Sequence, residues 1–209
     1  MACLLLLFFL TLPVPFPDQV QDAYAQRDAD RLRALLAEAD SRADSLLVRY
    51  RLYPLSENAG LLTPLPKELD DGSAREWALL SGLWSYRAGE ASIFSAVTYG
   101  RRSANLLETA QDLDADDPYV LLIGGQSLLF RPSIAGKDAA GAAERFSQLA
   151  QLAEQGRTVG IPPMEARVWK WIALREDGQD AAAASLYDRL RAQNPAPLYA
   201  QFLDAPPDV

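Results

Sequence analysis

GQDAAAASLYDRLRAQNP, residues 178–195, carries the spacing on which the fold turns. Gly178 closes one helix, Ala183, Tyr187 and Leu190 follow at intervals of five, four and three, and Pro195 comes five residues later. Intervals of three and four place side chains on one helical face. Glycine ends a helix and proline cannot continue one. The stretch therefore reads as a helix–turn–helix unit with a small residue at the crossing and an aromatic beside it. Two helices of this length cannot bury their own apolar faces, so such units must stack on one another.

Working outward, Ala142, Phe146 and Leu149 repeat the small–aromatic–apolar spacing, and Trp77, Leu80 and Trp84 share one face of a helix further upstream. Start signals mark the helices between. Ser73-Ala74-Arg75-Glu76 is a capping box, Asp117-Pro118 offers an N-cap and a first-turn proline, Asp138 and Asp180 read as caps, and Pro163 opens another helix. Further periodic segments run from Asp18 to Gln26, through Leu32, Leu35, Leu36 and Ala39, and through Leu46, Leu47 and Tyr50. No stretch alternates with β-branched residues, so the expected class is all-α, built of stacked antiparallel helix pairs.

This register resembles the tetratricopeptide repeat. Trp77, Leu80 and Trp84 match the first-helix pattern of that family, with the glycine one residue late at Gly82; Gly178, Ala183, Tyr187 and Pro195 match its second half. The repeats are degenerate, since Arg167, Lys170 and Trp171 occupy the Trp-Leu-Gly positions of the helix opened by Pro163. Gly125 to Pro132 followed by Ala135-Gly136-Lys137-Asp138 is similar to exported tetratricopeptide-type proteins of bacteria. The resemblance implies a right-handed solenoid with a concave, protein-binding face, and it brings no catalytic residue. Taking Trp77 and Gly178 as register marks, the inward positions are Arg75, Ala78, Leu79 and Gly82 in one repeat and Glu165, Val168, Trp169 and Ile172 in the last. One cation and one anion in that set make no carboxylate clamp. Leu79, Val168, Trp169 and Ile172 are therefore the candidate partner-binding residues, and Trp77, Leu80, Trp84, Ala142, Phe146, Gly178, Ala183, Tyr187 and Pro195 the packing residues.

Composition narrows the chemistry. The chain of 209 residues has no histidine, one cysteine (Cys3), and 20 basic against 28 acidic residues, a net charge of −8. Serine–histidine and cysteine–histidine catalysis and His-x-x-x-His zinc sites are excluded, as is an intrachain disulfide. The acidic balance disfavours a nucleic-acid partner. Asp112, Asp114 and Asp116 imitate the start of a calcium loop, but the sixth position is Asp117 and the twelfth Ile123, where calcium needs glycine and a bidentate carboxylate. Gly136-Lys137 lacks the first glycine and the Ser/Thr of a phosphate loop, and Gly124-Gly125 reads as close helix packing. Ser133 with Lys137 is a weak dyad signal, and Arg101-Arg102 a solvated helical face. Trp169 and Trp171, two apart, are expected to point in different directions, one of them partly exposed or inter-helical and so a candidate groove aromatic; burial of all four tryptophans in the core is the favoured reading. No cofactor or metal is expected.

Residues 3–12, CLLLLFFLTL, have the length of a signal-peptide apolar region and are too short to span a bilayer. Ala23-Tyr24-Ala25 offers a small–x–small cleavage site; the alternative cut lies by Pro13, Pro15 and Pro17, with Ala23 and Ala25 inside a first helix. The expected organisation is a leader over 1–25 (cut between 17 and 25), a helical domain over 26–203 with a long loop at 53–73, and a tail over 204–209, with no transmembrane segment in the mature protein. Usage of 17 Arg to 3 Lys fits a bacterial source. The expected function is an exported, non-catalytic scaffold binding protein or peptide in the periplasm; the alternative is a helical protein that captures a small apolar molecule for a transport system.

Overall fold

A computed structural model describes residues 14–209; the apolar run of the expected leader lies outside the described residues. Among the described residues the chain is all-α, with no strand. Its helices are α1 (Phe16–Ala25), α2 (Ala29–Glu38), α3 (Arg42–Ser56), α4 (Ala74–Gly89), α5 (Ile93–Asp114), α6 (Pro118–Phe130), α7 (Ala139–Glu154), α8 (Pro163–Glu176), α9 (Asp180–Arg191) and α10 (Pro197–Asp204). None is long and apolar enough to cross a membrane.

Local chemistry sets the boundaries. The Ser73 hydroxyl accepts from the Glu76 amide while the Glu76 carboxylate accepts from the Ser73 amide, closing the capping box of α4. Asp117 accepts from the amides of Tyr119 and Val120, with Pro118 as the first residue of α6. Asp138 caps α7 through the Gly141 amide. Asp180 does not cap as expected: it is the first residue of α9, Gln179 precedes the helix, and Asp180 lends its charge to the first turn instead. Gly178, at φ +72°, makes the turn between α8 and α9.

Paired contacts give the topology. Ser81 bonds Ser103 and Trp84 lies 5.2 Å from Tyr99, so α4 and α5 are antiparallel. Phe146 reaches Trp169 across α7 and α8, and Trp171 reaches Tyr187 across α8 and α9, both in antiparallel sense. The starts of α4 and α6 meet at Arg75 and Asp117, and Gly82 faces Ile123 further along, so these two helices are parallel. Lys137, after α6, pairs with Glu176 at the end of α8, while Tyr119 at the start of α6 bonds Gly160 just before α8. Helices α4, α6 and α8 thus run the same way, each followed by its antiparallel partner.

Helix α3 is also parallel to α4: Arg42 pairs with Glu76 near their starts, and Tyr53 bonds Glu90 near their ends. A parallel pair needs a connection that travels back along its length, which explains the long link. The link begins later than expected, because α3 continues through Tyr53 and Pro54 to Ser56. Proline is tolerated there because it removes one hydrogen bond only in the last turns of the helix. The rest straps the core: Leu61, Leu62, Leu65 and Leu69 are buried, Arg49 donates to the Leu61 carbonyl, and the Trp84 indole donates to the Pro66 carbonyl.

Helix α1 is an integral part of this core, with Val20, Ala23, Tyr24 and Ala25 buried. The expected boundary after Ala25 falls at the end of this helix, so a cut there would remove a packed element, whereas the alternative cut by Pro13, Pro15 and Pro17 would leave its buried residues in place. The chain also departs from an open array, in which each repeat touches only its neighbours. Helix α1 packs on α10 at the far end of the chain, and α3 reaches α8.

The packing residues mostly fall where the spacing places them. Leu80, Trp84, Ala142, Phe146 and Ala183 are buried, while Trp77 and Tyr187 are half-buried at the margins of the core. Pro195 lies in the link between α9 and α10. A Cβ built on Gly125 would sit 2.5 Å from the Phe146 ring, which is itself stacked on Trp169. Gly125→Ala should therefore lower stability by about 1–3 kcal/mol, because overpacking outweighs the gain in helix propensity. Urea unfolding checks this; an unchanged or higher midpoint would show that Phe146 yields freely.

Candidate functional site

Arg51 and Glu165 form the polar centre of the molecule. Arg51 follows Tyr50 in the apolar stripe of α3, and Glu165 sits in the first turn of α8, 114 positions away in sequence. Their side chains are 1% exposed, joined by two bonds, Nη1 to Oε1 at 2.5 Å and Nη2 to Oε2 at 3.0 Å. The guanidinium carbon lies 4.6 Å from the Tyr24 ring centre, 5.6 Å from that of Tyr50 and 5.9 Å from that of Tyr119. Cations are attracted to aromatic faces, and the effect grows when water is removed. Burial works against the charge on Arg51, but Glu165 and the surrounding tyrosines more than offset it and hold the guanidinium protonated.

Neighbouring groups complete the cluster. Arg51 Nη2 also lies 3.4 Å from the Gly160 carbonyl, which accepts from Tyr119 Oη as well, and the Gly160 amide donates to Asp18 of α1. Gly160 is required twice over: its φ is +74°, and a Cβ would lie 2.6 Å from the Tyr119 hydroxyl. Gln21 donates to the Tyr199 hydroxyl of α10, joining positions 178 apart. Among the described residues, Gln21 Oε1 and Arg51 Nε have no hydrogen-bond partner. Burial pushes the hydroxyls of Tyr24 and Tyr119 up to about 12, with Arg51 acting in the opposite direction. An ion pair joined by two bonds and walled by aromatic rings ties α3 to α8 at the centre of the molecule.

A cavity of about 190 Å³ opens beside this centre, lined by Asp18, Gln21, Thr158, Gly160, Ile161 and Pro162 among others. It is smaller than the usual small-molecule pocket of about 300–1,000 Å³. A wider cavity of about 580 Å³ lies along α1 and the start of α2, lined by Asp18, Gln19, Asp22, Gln26, Asp28 and Arg31 among others, so both present polar and charged groups. That chemistry does not suit an apolar ligand.

The expected partner-binding residues are corrected by their position. Leu79, Val168, Trp169 and Ile172 are all buried, because the inward faces of α4 and α8 are covered by other helices of the chain. Trp169 is enclosed by Phe130, Phe146 and Phe202, and Trp171 by Tyr187 and Arg175, so both tryptophans belong to the core, the reading favoured from their sequence. Glu165, in the same inward register, meets Arg51, and Arg75 meets Asp117. The carboxylates of the acidic run serve the backbone and neighbouring side chains: Asp114 accepts from the Asp116 amide, Asp116 from Gln148, and Asp117 caps α6. Lys137, four residues after Ser133, pairs with Glu176 at the end of α8.

Sequence reasoning passed over the Arg51–Glu165 pair. An arginine inside the stripe Leu46, Leu47, Tyr50, Tyr53 was its one available signal. Also unforeseen is the apolar exposure on α5 and the α6–α7 loop, where Ile93, Phe94 and Ile134 stand in solvent. Arg102 is not merely solvated: with Arg87 it lies over the Trp84 ring, at 4.7 and 4.9 Å from its centre.

Comparison with known proteins finds no matching family model, no matching curated protein and no matching solved structure. Fold class and surface chemistry alone define the molecule, an all-α protein with a closed polar centre and a long outer helix covered on one side.

Proposed function

We propose that this chain is a scaffold of tetratricopeptide type, exported to the bacterial envelope, that binds a protein or peptide partner on its outside. The parallel course of α4, α6 and α8, each with an antiparallel partner, supports the repeat reading. The observation that carries the binding role is the outer face of α5. This longest helix packs on α4 and, less, on α6, and leaves Val97, Arg101, Ala104 and Glu108 exposed along one side. These positions follow three- and four-residue spacing, so they form one continuous strip. Arg101 and Glu108 have no intrachain ion pair among the described residues, and both are free to bond a partner.

A photoreactive residue placed at Ala104 in the native host should give one discrete crosslinked product, and the same residue at Ala184 on α9 should give none. Products of equal pattern from both sites, or none from Ala104, would reject the strip as a binding face. Export has a separate test. The mature chain should retain α1, so amino-terminal sequencing of native material should find a start ahead of Val20; material starting at Met1 would reject export.

A further inference from the structure

The outer strip of α5 is complementary to itself. Phe94, Val97, Arg101, Ala104 and Glu108 are exposed at alternating intervals of three and four, so they share one face of a 22-residue helix about 33 Å long. The charged residues of α5 are ordered along it: Arg101 and Arg102 lie nearer its start, and Glu108, Asp112 and Asp114 nearer its end. Arg102 lies over the Trp84 ring, 4.7 Å from its centre, which leaves Arg101 as the cation of the strip. Neither Arg101 nor Glu108 has an ion pair among the described residues. The two stand equally far, about 5 Å along the axis, to either side of a midpoint between Ala104 and Asn105.

A second α5 laid antiparallel across this midpoint places Arg101 of each copy opposite Glu108 of the other, two ion pairs related by a two-fold axis. Ala104, small and exposed, lies at the crossing and lets the helices approach. Further out, Asp112 comes level with Thr98, whose hydroxyl can donate to it, and Phe94 with Ala115, exposed just past the helix end. A parallel α5 would set Arg101 against Arg101 and Glu108 against Glu108, so the charge order selects one direction. An unrelated partner would have to carry this charge order in reverse, whereas a copy of the chain carries it by symmetry. Granted that α5 is a binding face, as proposed above, we infer that its partner is a second copy of this chain, docked through an antiparallel α5–α5 contact with reciprocal Arg101–Glu108 pairs. One helix pair is a small interface and each copy carries a net charge of −8, so the association is reversible.

The test is sedimentation equilibrium of the purified chain and three variants. The parent chain should show a concentration-dependent equilibrium of monomer and dimer. Arg101→Glu and Glu108→Arg each set like charges at both contacts, and each should weaken dimerisation about tenfold. The chain carrying both substitutions should dimerise like the parent, and the two single variants mixed should form a heterodimer. Both positions are exposed, and recovery in the double variant shows that the losses are not a failure to fold. A parent chain that stays monomeric, a dimer indifferent to both reversals, or a double variant as weak as the single ones overturns the inference. The photoreactive residue at Ala104 separates the occupant from the binding face. A crosslinked product of twice the mass of the chain supports the second copy. A discrete product of any other mass overturns it and leaves α5 as a binding face, while no product rejects both.

Discussion

Glu165→Ala lowers the free energy of unfolding by about 3–5 kcal/mol, the cost of leaving a buried charge without its partner. Arg51 cannot turn to solvent, since Tyr24, Tyr50 and Tyr119 surround it and the Gly160 carbonyl is its one remaining polar contact among the described residues. The companion expectation is sharper. Replacing both members with apolar residues, Arg51→Met with Glu165→Leu, should recover most or all of the loss, because the pair itself offsets a desolvation cost of similar size. Chemical unfolding of the two single variants and the double variant closes the cycle. A single-variant loss below about 1 kcal/mol, the range of exposed pairs, would mean that water reaches the site.

Alkaline pH should unfold this protein cooperatively. Burial, its leading cause, raises Tyr24 and Tyr119 from 10.0 to about 12, and lifts Tyr50 and Tyr199 above the ordinary phenol range as well. The direction follows from proton counting. Below pH 10.0 these hydroxyls are protonated in folded and unfolded chains alike, so their contribution is fully present. Above it the unfolded chain releases protons that the folded chain keeps, and stability falls, through Tyr24 and Tyr119 until the pH passes about 12 and through Tyr50 and Tyr199 for longer. Each buried tyrosine contributes a slope of at most about 1.4 kcal/mol per pH unit. Four together approach the whole stability of an ordinary domain, about 5–15 kcal/mol, within one to two units. Tyrosinate absorbance and helical circular dichroism should therefore change together. Tyr24→Phe should move the midpoint to higher pH by removing one titrating group. Tyrosines that ionise near 10.0 while the helices persist would show that the centre is hydrated.

The class of the protein was legible locally. Spacings of three and four, the capping box at Ser73 and Glu76, the proline starts at Pro118 and Pro163, and the Gly178 turn depend on neighbours within one or two helical turns. Local backbone geometry alone decides such features, so they can be read from a linear string. Gly125 and Ala183 belong to the same group, since a missing side chain in an apolar stripe marks a close approach whatever lies opposite.

The site could not be read this way. Leu79, Val168 and Trp169 have the pattern of a groove wall and the pattern of a core equally, and only the placement of the remaining helices separates the two. That placement rests on contacts between distant positions: Arg51 with Glu165, Gln21 with Tyr199, Asp18 with Gly160. No periodicity encodes them, because periodicity reports which face of a helix is apolar and not which element covers it. The same limit hid the apolar edge. Ile93 and Phe94 look like any helix start in the sequence, and Ile134 like any loop residue. Helix direction alone brings them to one side of the molecule, a direction seen where Arg75 meets Asp117 and Lys137 meets Glu176. The amino-acid string thus determined the helices and their apolar faces, while tertiary packing decided which of those faces are interior and which are left in solvent.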